Sequence, residues 1–251
     1  MRTKTLVLIA AVALAAGILT SSAQTYSQNV VGYANVVTAN GGTYLITVPF
    51  KEGLTNGANE VWPLVGGLPT IPDYSTLLIW DSGTFNYTTY ISDSTSPSLW
   101  DDASFTQLAG APVLPVGQGF FLIPSASTTN LFVGTVAVNI GTSNIMALPN
   151  GGTYLVASVV PYAGAITNGN PVTGFGGPGM SSLNGLPDYS TLLIWDPSTF
   201  NYTTYISDST SPSLWDDASF TWLSSPPTIN VGQGFFIIPS GTWNWMVGLS
   251  N

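Results

Sequence analysis

The chain reads PDYSTLLIWDSGTFNYTTYISDSTSPSLWDDASFT from residue 72 to 106, and PDYSTLLIWDPSTFNYTTYISDSTSPSLWDDASFT from residue 187 to 221. These stretches are identical at 33 of 35 positions, and the differences are adjacent: Ser82 and Gly83 become Pro197 and Ser198. Shorter motifs also recur, with NGGTYL at 40–45 and 150–155, and VGQGFF at 116–121 and 231–236. The sequence therefore predicts two tandem domains of about 100 residues, residues 41–140 and 141–251.

The apolar residues of each unit follow the period of two that is typical of β-strands. The segments STLLIWD and TFNYTTYI are rich in β-branched and aromatic residues, and the two differing positions lie between them. Pro197 excludes a primed hairpin turn and favours a type I turn. GFFLIPS predicts a central strand that is buried on both faces. We therefore predict an all-β fold of two duplicated antiparallel domains, β-sandwich or barrel-like, preceded by an N-terminal strand.

Residues 1–23 have the features of a secretory signal peptide. Arg2 and Lys4 precede an apolar run, and Ser21 and Ala23 are small residues at the −3 and −1 positions of a cleavage site. We expect the mature chain to begin at Gln24 and to be secreted by a bacterium, either free or on the cell surface. The apolar run is shorter than the ~20 residues that cross a bilayer, so no membrane span is expected after cleavage.

The mature chain is strongly acidic, because Lys51 is then its only basic residue beside 12 acidic residues. Nucleic acid and anionic membranes are not expected as partners, since both are bound by clustered Lys and Arg. The sequence has no His and no Cys, which removes most general-base, nucleophile and metal-ligand schemes. We therefore expect no enzymatic activity and assign no catalytic residue.

The order GGTYLITVP, LLIWDSGTFNYTTY and LPVGQGFFLIPS resembles a repeat domain of secreted bacterial proteins. In that family a GWNLISLP-type strand opens the unit, a YxWN…Y hairpin follows, and an LxxGxGFF-type strand closes it. The resemblance covers nearly all of the mature chain as two copies. It implies an all-β repeat fold and carries over no catalytic residues, because the family mostly lacks a known biochemical role. This chain departs from the pattern in having almost no Lys or Arg.

The loop SDSTSPSLWDDASF is the best candidate for a ligand site, because it concentrates carboxylates and hydroxyls. Hard oxygen ligands of this kind suit Ca²⁺, although the spacing is not that of an EF-hand. The candidate ligands in the two copies are Asp93, Asp101, Asp102, Asp208, Asp216 and Asp217. The alternative is a solvated loop whose carboxylates cap turns or the start of a short helix at WDDASF. No other cofactor is expected.

Four tryptophans raise the possibility of polysaccharide binding, since aromatic faces can stack on sugar rings. They are Trp80, Trp100, Trp195 and Trp215. The alternative is that they fill small β cores, where one aromatic side chain buries about 150–250 Å². The sequence favours the core role, because Trp80 lies within a predicted strand and such residues are usually packed.

The N-terminal arm, residues 24–40, contains a strand-like segment before the first unit. The residues assigned to it are Asn29, Val30, Val31, Tyr33, Val36 and Val37. This strand could complete its own domain or pair with a neighbouring subunit by strand addition, and the sequence leaves both open. Few charges also mean few of the Lys residues that block association at sheet edges. We therefore expect a secreted structural protein that self-assembles into an extracellular filament or matrix. The alternative is a tandem polysaccharide-binding module, with Ca²⁺ as a candidate ligand.

Overall fold

The computed structural model describes residues 31–47, 50–51, 58–60, 71–115, 117–136, 143–159, 163–166 and 185–248. All the regular elements in these ranges are β-strands, which confirms the all-β prediction. The first unit contains β1 (Val31–Thr38), β2 (Tyr44–Thr47), β3 (Phe50–Lys51), β4 (Ala58–Glu60), β5 (Thr76–Asp81), β6 (Asn86–Ser92), β7 (Trp100–Asp102), β8 (Val113–Pro115), β9 (Gly119–Ile123) and β10 (Thr128–Val136). The second contains β11 (Ser143–Leu148), β12 (Tyr154–Val156), β13 (Gly164–Ala165), β14 (Thr191–Asp196), β15 (Asn201–Ser207), β16 (Trp215–Asp217), β17 (Thr228–Ile229), β18 (Phe235–Ile238) and β19 (Trp243–Gly248). No helix in the described ranges is long and apolar enough to cross a membrane. The predicted signal peptide lies outside them.

Each unit is built around a five-stranded antiparallel sheet, in the orders β2-β9-β5-β6-β7 and β12-β18-β14-β15-β16. The strand predicted to be central, β9, lies between β2 and β5, and residues 119–122 are buried. Because side chains alternate along a strand, Phe120 and Leu122 enter the core of the unit while Phe121 lies on the opposite face.

Shorter sheets accompany each large one. The first unit has β1-β10-β3 and β4-β8, and the second has β11-β19 and β13-β17, all antiparallel. Over the described strands, these sheets do not join into a closed barrel. β1 occupies the position in the first unit that β11 occupies in the second, since each pairs with the last strand of its unit.

The β5–β6 hairpin explains how the chain tolerates its two differing positions. Asp81 lies opposite Asn86, and its Oδ1 accepts a hydrogen bond from Gly83 N at 2.8 Å. The left-handed residue of the turn is Phe85, with φ of 53°, so position 82 needs no positive φ. Pro197 therefore fits the equivalent turn of the second unit, as the sequence predicts.

Candidate functional sites

The two large sheets meet face to face through an apolar layer that we call the seam. The first unit contributes Leu45, Leu78, Trp80, Tyr87 and Phe121, and the second contributes Leu155, Leu193, Trp195, Tyr202 and Phe236. Every residue of the first set has the same residue type at the corresponding position of the second. The seam therefore joins two chemically equivalent surfaces within one chain.

Reciprocal hydrogen bonds relate the two units across the seam. Trp80 Nε1 donates to Thr153 O at 2.6 Å, and Trp195 Nε1 donates to Thr43 O at the same distance of 2.6 Å. Such exchange of equivalent contacts is the signature of an isologous, two-fold interface. The tandem units are thus arranged like the subunits of a symmetric dimer.

The aromatic rings of the seam follow the same symmetry. The ring centroids of Trp80 and Phe236 are 5.5 Å apart at 89°, and those of Trp195 and Phe121 are 5.5 Å apart at 86°. Both pairs have the edge-to-face geometry that aromatic rings prefer. The two tryptophans therefore stabilise the contact between the units, which agrees with the packing role that the sequence favours.

Two glycines lie at the centre of the seam. A Cβ built on Gly119 would be 3.0 Å from Leu155 Cγ and 3.7 Å from Gly234 Cα. A Cβ built on Gly234 would be 3.4 Å from Leu45 Cγ and 3.5 Å from Gly119 Cα. The sheets approach this closely because neither position carries a side chain.

The other two predicted tryptophans lie in the cores of their units. Trp100 is buried, and Trp215 is fully buried, with its Nε1 donating to Ile166 O at 2.9 Å. Neither ring has a face free to stack on a sugar, so a polysaccharide site that uses them is wrong. An aromatic platform would have to be built from other residues.

The aspartate loop brings two of its three predicted ligands together. Asp101 is 3% exposed and its Oδ1 has no hydrogen-bond partner, while the charge of Asp93 acts on its carboxylate. The pKa of Asp101 is raised mainly by burial and, to a smaller extent, by the negative charge of Asp93. Hydrogen bonds from the backbone and the hydroxyl of Thr95 lower the pKa of Asp93. Asp208 and Asp216 repeat the arrangement.

Asp102 lies apart from this pair. Its Oδ1 accepts hydrogen bonds from Ser104 N at 2.8 Å and Thr106 N at 3.0 Å, which caps a turn rather than a helix. The helix start considered at WDDASF is wrong, because this segment forms β7 and the following turn. Within the described ranges, no group of three or more His, Cys, Asp or Glu residues could hold a metal ion. Calcium binding stays a prediction for the Asp93–Asp101 pair and its copy.

Exposed residues in left-handed turns are a feature that the sequence did not reveal. Each unit has four non-glycine residues with φ between 52° and 65°: Tyr74, Phe85, Leu99 and Phe105, then Tyr189, Phe200, Leu214 and Phe220. Bulky residues rarely adopt this conformation, and no Gly or Asn marks these positions. The six aromatic members are each more than half exposed. In the second unit Tyr189 and Phe220 lie 6.5 Å apart, and Trp222 is 60% exposed.

The predicted assembly arm is paired within its own chain. β1 is in antiparallel register with β10, from Val31 opposite Thr135 to Thr38 opposite Thr128. Asn29 and Val30 lie outside the described residues, and the backbone of Tyr33 lies opposite that of Val133. Val36 is half-buried, whereas Val37 is 72% exposed.

No protein-family model, curated protein or solved structure matches the chain. The functional argument therefore rests on three features of its own geometry. These are the terminal strand β1, the seam, and the exposed aromatic turns.

Proposed function

We propose that the mature protein is a secreted structural subunit of an extracellular filament or matrix, assembled by β-strand addition. In this assembly β1 of one subunit leaves β10 of its own chain and pairs with β10 of a neighbour. The observation that carries the proposal is that β1, the first of the described strands, is in register with β10 over eight positions and pairs with no other described strand. No catalytic residue takes part.

The chain connectivity favours movement of β1 over movement of its counterpart. Among the described strands β1 lies at the edge of the β1-β10-β3 sheet, and the turn at residues 39–43 joins it to β2. Gly41 in that turn has φ of 74°, a conformation that glycine adopts without strain. β11, by contrast, is held in the chain at both ends, so exchange of strands between subunits falls to β1.

Strand addition of this kind gives an open assembly. Each subunit donates β1 on one side and offers β10 on the other, and head-to-tail contacts that do not close produce filaments. Alternation of side chains sets the register, because a slip of one residue sends each side chain to the wrong face. Charged residues make up 6% of the chain and only three are basic, so few Lys side chains are present to block pairing at sheet edges.

A disulfide that ties β1 to its own β10 tests the proposal, since the sequence contains no cysteine. Val37 and Thr129 lie directly opposite each other, and both are exposed. Directly opposed positions bring Cβ atoms to about 4.5–5.5 Å, close to what a disulfide needs. We expect the Val37→Cys/Thr129→Cys variant, folded in dilute solution and then oxidised, to stay monomeric in electron micrographs and light scattering, and to form filaments after reduction.

The second unit provides a matched control. Ala147 and Asn244 are opposed and exposed in the β11–β19 pair, so the Ala147→Cys/Asn244→Cys variant locks a strand that does not exchange. This variant should assemble equally well oxidised or reduced. Filaments from the oxidised Val37→Cys/Thr129→Cys variant folded in dilute solution, or a wild-type chain that stays monomeric at high concentration, would refute strand addition.

Binding of extracellular polysaccharide is a second candidate, favoured by the exposed aromatic side chains of the second unit. Tyr189 and Phe220 present their rings to solvent on left-handed turns, and Trp222, in an isolated β-bridge with Asp216, is also exposed. The first unit has Gln107 in place of Trp222. If this surface binds sugar chains, Trp222→Ala should reduce retardation in affinity gels that contain a neutral polysaccharide, and Gln107→Ala should not. Equal retardation of both variants would argue against this role.

A further inference from the structure

We propose that the seam is also an interface between chains: the seam face of one unit pairs with the same face on a second copy of this protein. This contact goes beyond strand addition, because β1 stays in its place. A chain whose two units separate would offer two seam faces, one at each end. Each face would then accept a unit of another chain.

The proposal follows from the identity of the two faces. Five residues on each side form the apolar layer, and the five pairs are identical in type. The hydrogen bond from Trp80 to Thr153 O is matched by that from Trp195 to Thr43 O, so each face supplies both donor and acceptor. A first unit therefore offers another first unit the same seam contacts that it makes with its own second unit. The units differ beside the seam, where Gly117 lies against Met146 and its counterpart Gly232 lies against Val36.

Nothing in this apolar layer favours a pair of a first and a second unit over a pair of two first units or two second units. Interfaces that reject a wrong partner usually do so with opposed charges or steric clashes. The seam contains only Leu, Trp, Tyr and Phe side chains, with Gly119 and Gly234 at its centre. First–first, second–second and first–second pairs between chains are thus close in energy to the pair within one chain.

Concentration decides which pairing forms. Two units on one chain meet at an effective concentration of the order of mM, so a dilute chain closes on itself. Exchange is expected when units fold close to those of other chains, as at a crowded secretion site. Two chains that exchange both units give a closed dimer, while continued exchange gives a linear polymer.

Engineered cysteines at the centre of the seam report the pairing directly. Gly234→Cys alone has no partner in a closed chain, because Gly119 faces it, but two second units that pair between chains bring two such cysteines together. The Cα–Cβ approaches of 3.5 and 3.7 Å at this point are within disulfide reach. After refolding at high concentration and oxidation, we expect several-fold more covalent dimer than for Gly110→Cys, because paired second units hold their two cysteines together whereas two Gly110→Cys chains meet only by diffusion. Gly110 is exposed and has no atom within 4 Å of a built Cβ.

The double variant Gly119→Cys/Gly234→Cys checks the geometry. At low concentration it should form an internal disulfide and run as a compact monomer. The proposal is overturned if that disulfide closes while Gly234→Cys gives no more dimer than Gly110→Cys. It is also overturned if the internal disulfide does not form, because the two glycines would then not face each other.

A second measurement leaves every seam residue unchanged, so its result does not depend on whether a substituted seam still folds. Light and heavy-isotope chains of the oxidised Val37→Cys/Thr129→Cys variant are unfolded, mixed and refolded together. Since β1 is then tied to its own chain, mixed-mass dimers in native mass spectrometry report exchange at the seam. Chains that remain entirely unmixed refute seam exchange, whereas strand addition would still stand on its own test.

Discussion

Substitution of Gly119 by alanine tests the packing of the seam with a single methyl group. The added Cβ would lie 3.0 and 3.1 Å from Cγ and Cδ1 of Leu155, well inside the ~3.5–4.0 Å of a normal carbon contact. Leu155 is itself 4% exposed and packed among the seam residues, so it has little room to move. The sheets must therefore separate locally or the leucine must leave its rotamer.

The expected cost follows from two opposing terms. Overpacking of a core costs about 1–3 kcal/mol. Replacing glycine by alanine where φ is compatible restores about 0.4–1 kcal/mol by restricting the unfolded chain. We expect a net destabilisation of about 1–2 kcal/mol. This corresponds to a melting temperature about 2–8 °C lower for a chain of this size.

Two glycines serve as controls in the same urea titration, followed by tryptophan fluorescence. Gly234→Ala meets its nearest atoms at 3.4 and 3.5 Å, an ordinary contact, so its stability should change little. Gly110→Ala meets nothing within 4 Å and should be neutral or slightly stabilising. If Gly119→Ala proves as stable as Gly234→Ala, the seam is not packed as described and the argument for its close approach fails.

Three further predictions concern the seam and the aspartate pair. Trp80→Phe removes the donor to Thr153 O and should cost about 1–2 kcal/mol in urea unfolding, whereas Trp222→Phe at an exposed site should change stability little. The pKa of Asp101 is raised in the folded state, so folding favours the protonated carboxyl group. The contribution of Asp101 to the free energy of unfolding is therefore present below about pH 4 and is lost as pH rises through the raised pKa. Asp101→Asn should therefore raise the melting temperature near pH 7 and leave it unchanged near pH 3, and a variant that is less stable at both would contradict the burial argument. At about pH 8 the pair of Asp93 and Asp101 carries more negative charge. Ca²⁺ should then raise the melting temperature of the wild type by mass action, but not that of the Asp101→Asn variant. If Ca²⁺ leaves the melting temperature of the wild type unchanged, the loop has no role in calcium binding.

The sequence predicts the strands well because their pattern is local. The alternation in STLLIWD and TFNYTTYI corresponds to β5 and β6, and the apolar run GFFLIPS corresponds to the buried strand β9. The hairpin turn follows from the chemistry of Pro197, which fixes φ and so limits the turn type. Each of these predictions depends on a few neighbouring residues, and for this reason each could be made without the structure.

The seam could not be predicted from the sequence. Alternation of side chains along a strand shows that the strand has two faces, but it does not show which part of the chain packs against each face. Phe120 and Phe121 are equally apolar in the sequence, yet one enters the core of the unit and the other the seam. Alternation likewise places Asp101 and Asp102 on opposite faces without telling which is buried. The left-handed aromatic turns at residues such as Tyr74 carry no glycine or asparagine that would indicate them.

The near-identity of the two long stretches is partly explained by the seam. Each seam residue of one unit contacts residues of the other, so a change such as Trp80→Leu would remove the contacts with Phe236 and Thr153. These contacts restrain the seam positions of β5 and β6. The two differences lie at the hairpin tip beside the seam, where Ser82 and Pro197 line cavities next to the other unit.

The identical segment continues beyond the seam into the loop that follows β6, where Asp93, Asp101 and Phe105 have exact counterparts in the second unit. Contacts between the units do not require this part to match, since β7 lies at the far edge of its sheet. Its identity means that every subunit contains the same aspartate loop twice and displays the same left-handed aromatic turns twice. In an assembly held by strand addition or by the seam, such a surface would repeat at twice the frequency of the subunits, which is the arrangement that multivalent binding to an extended partner requires.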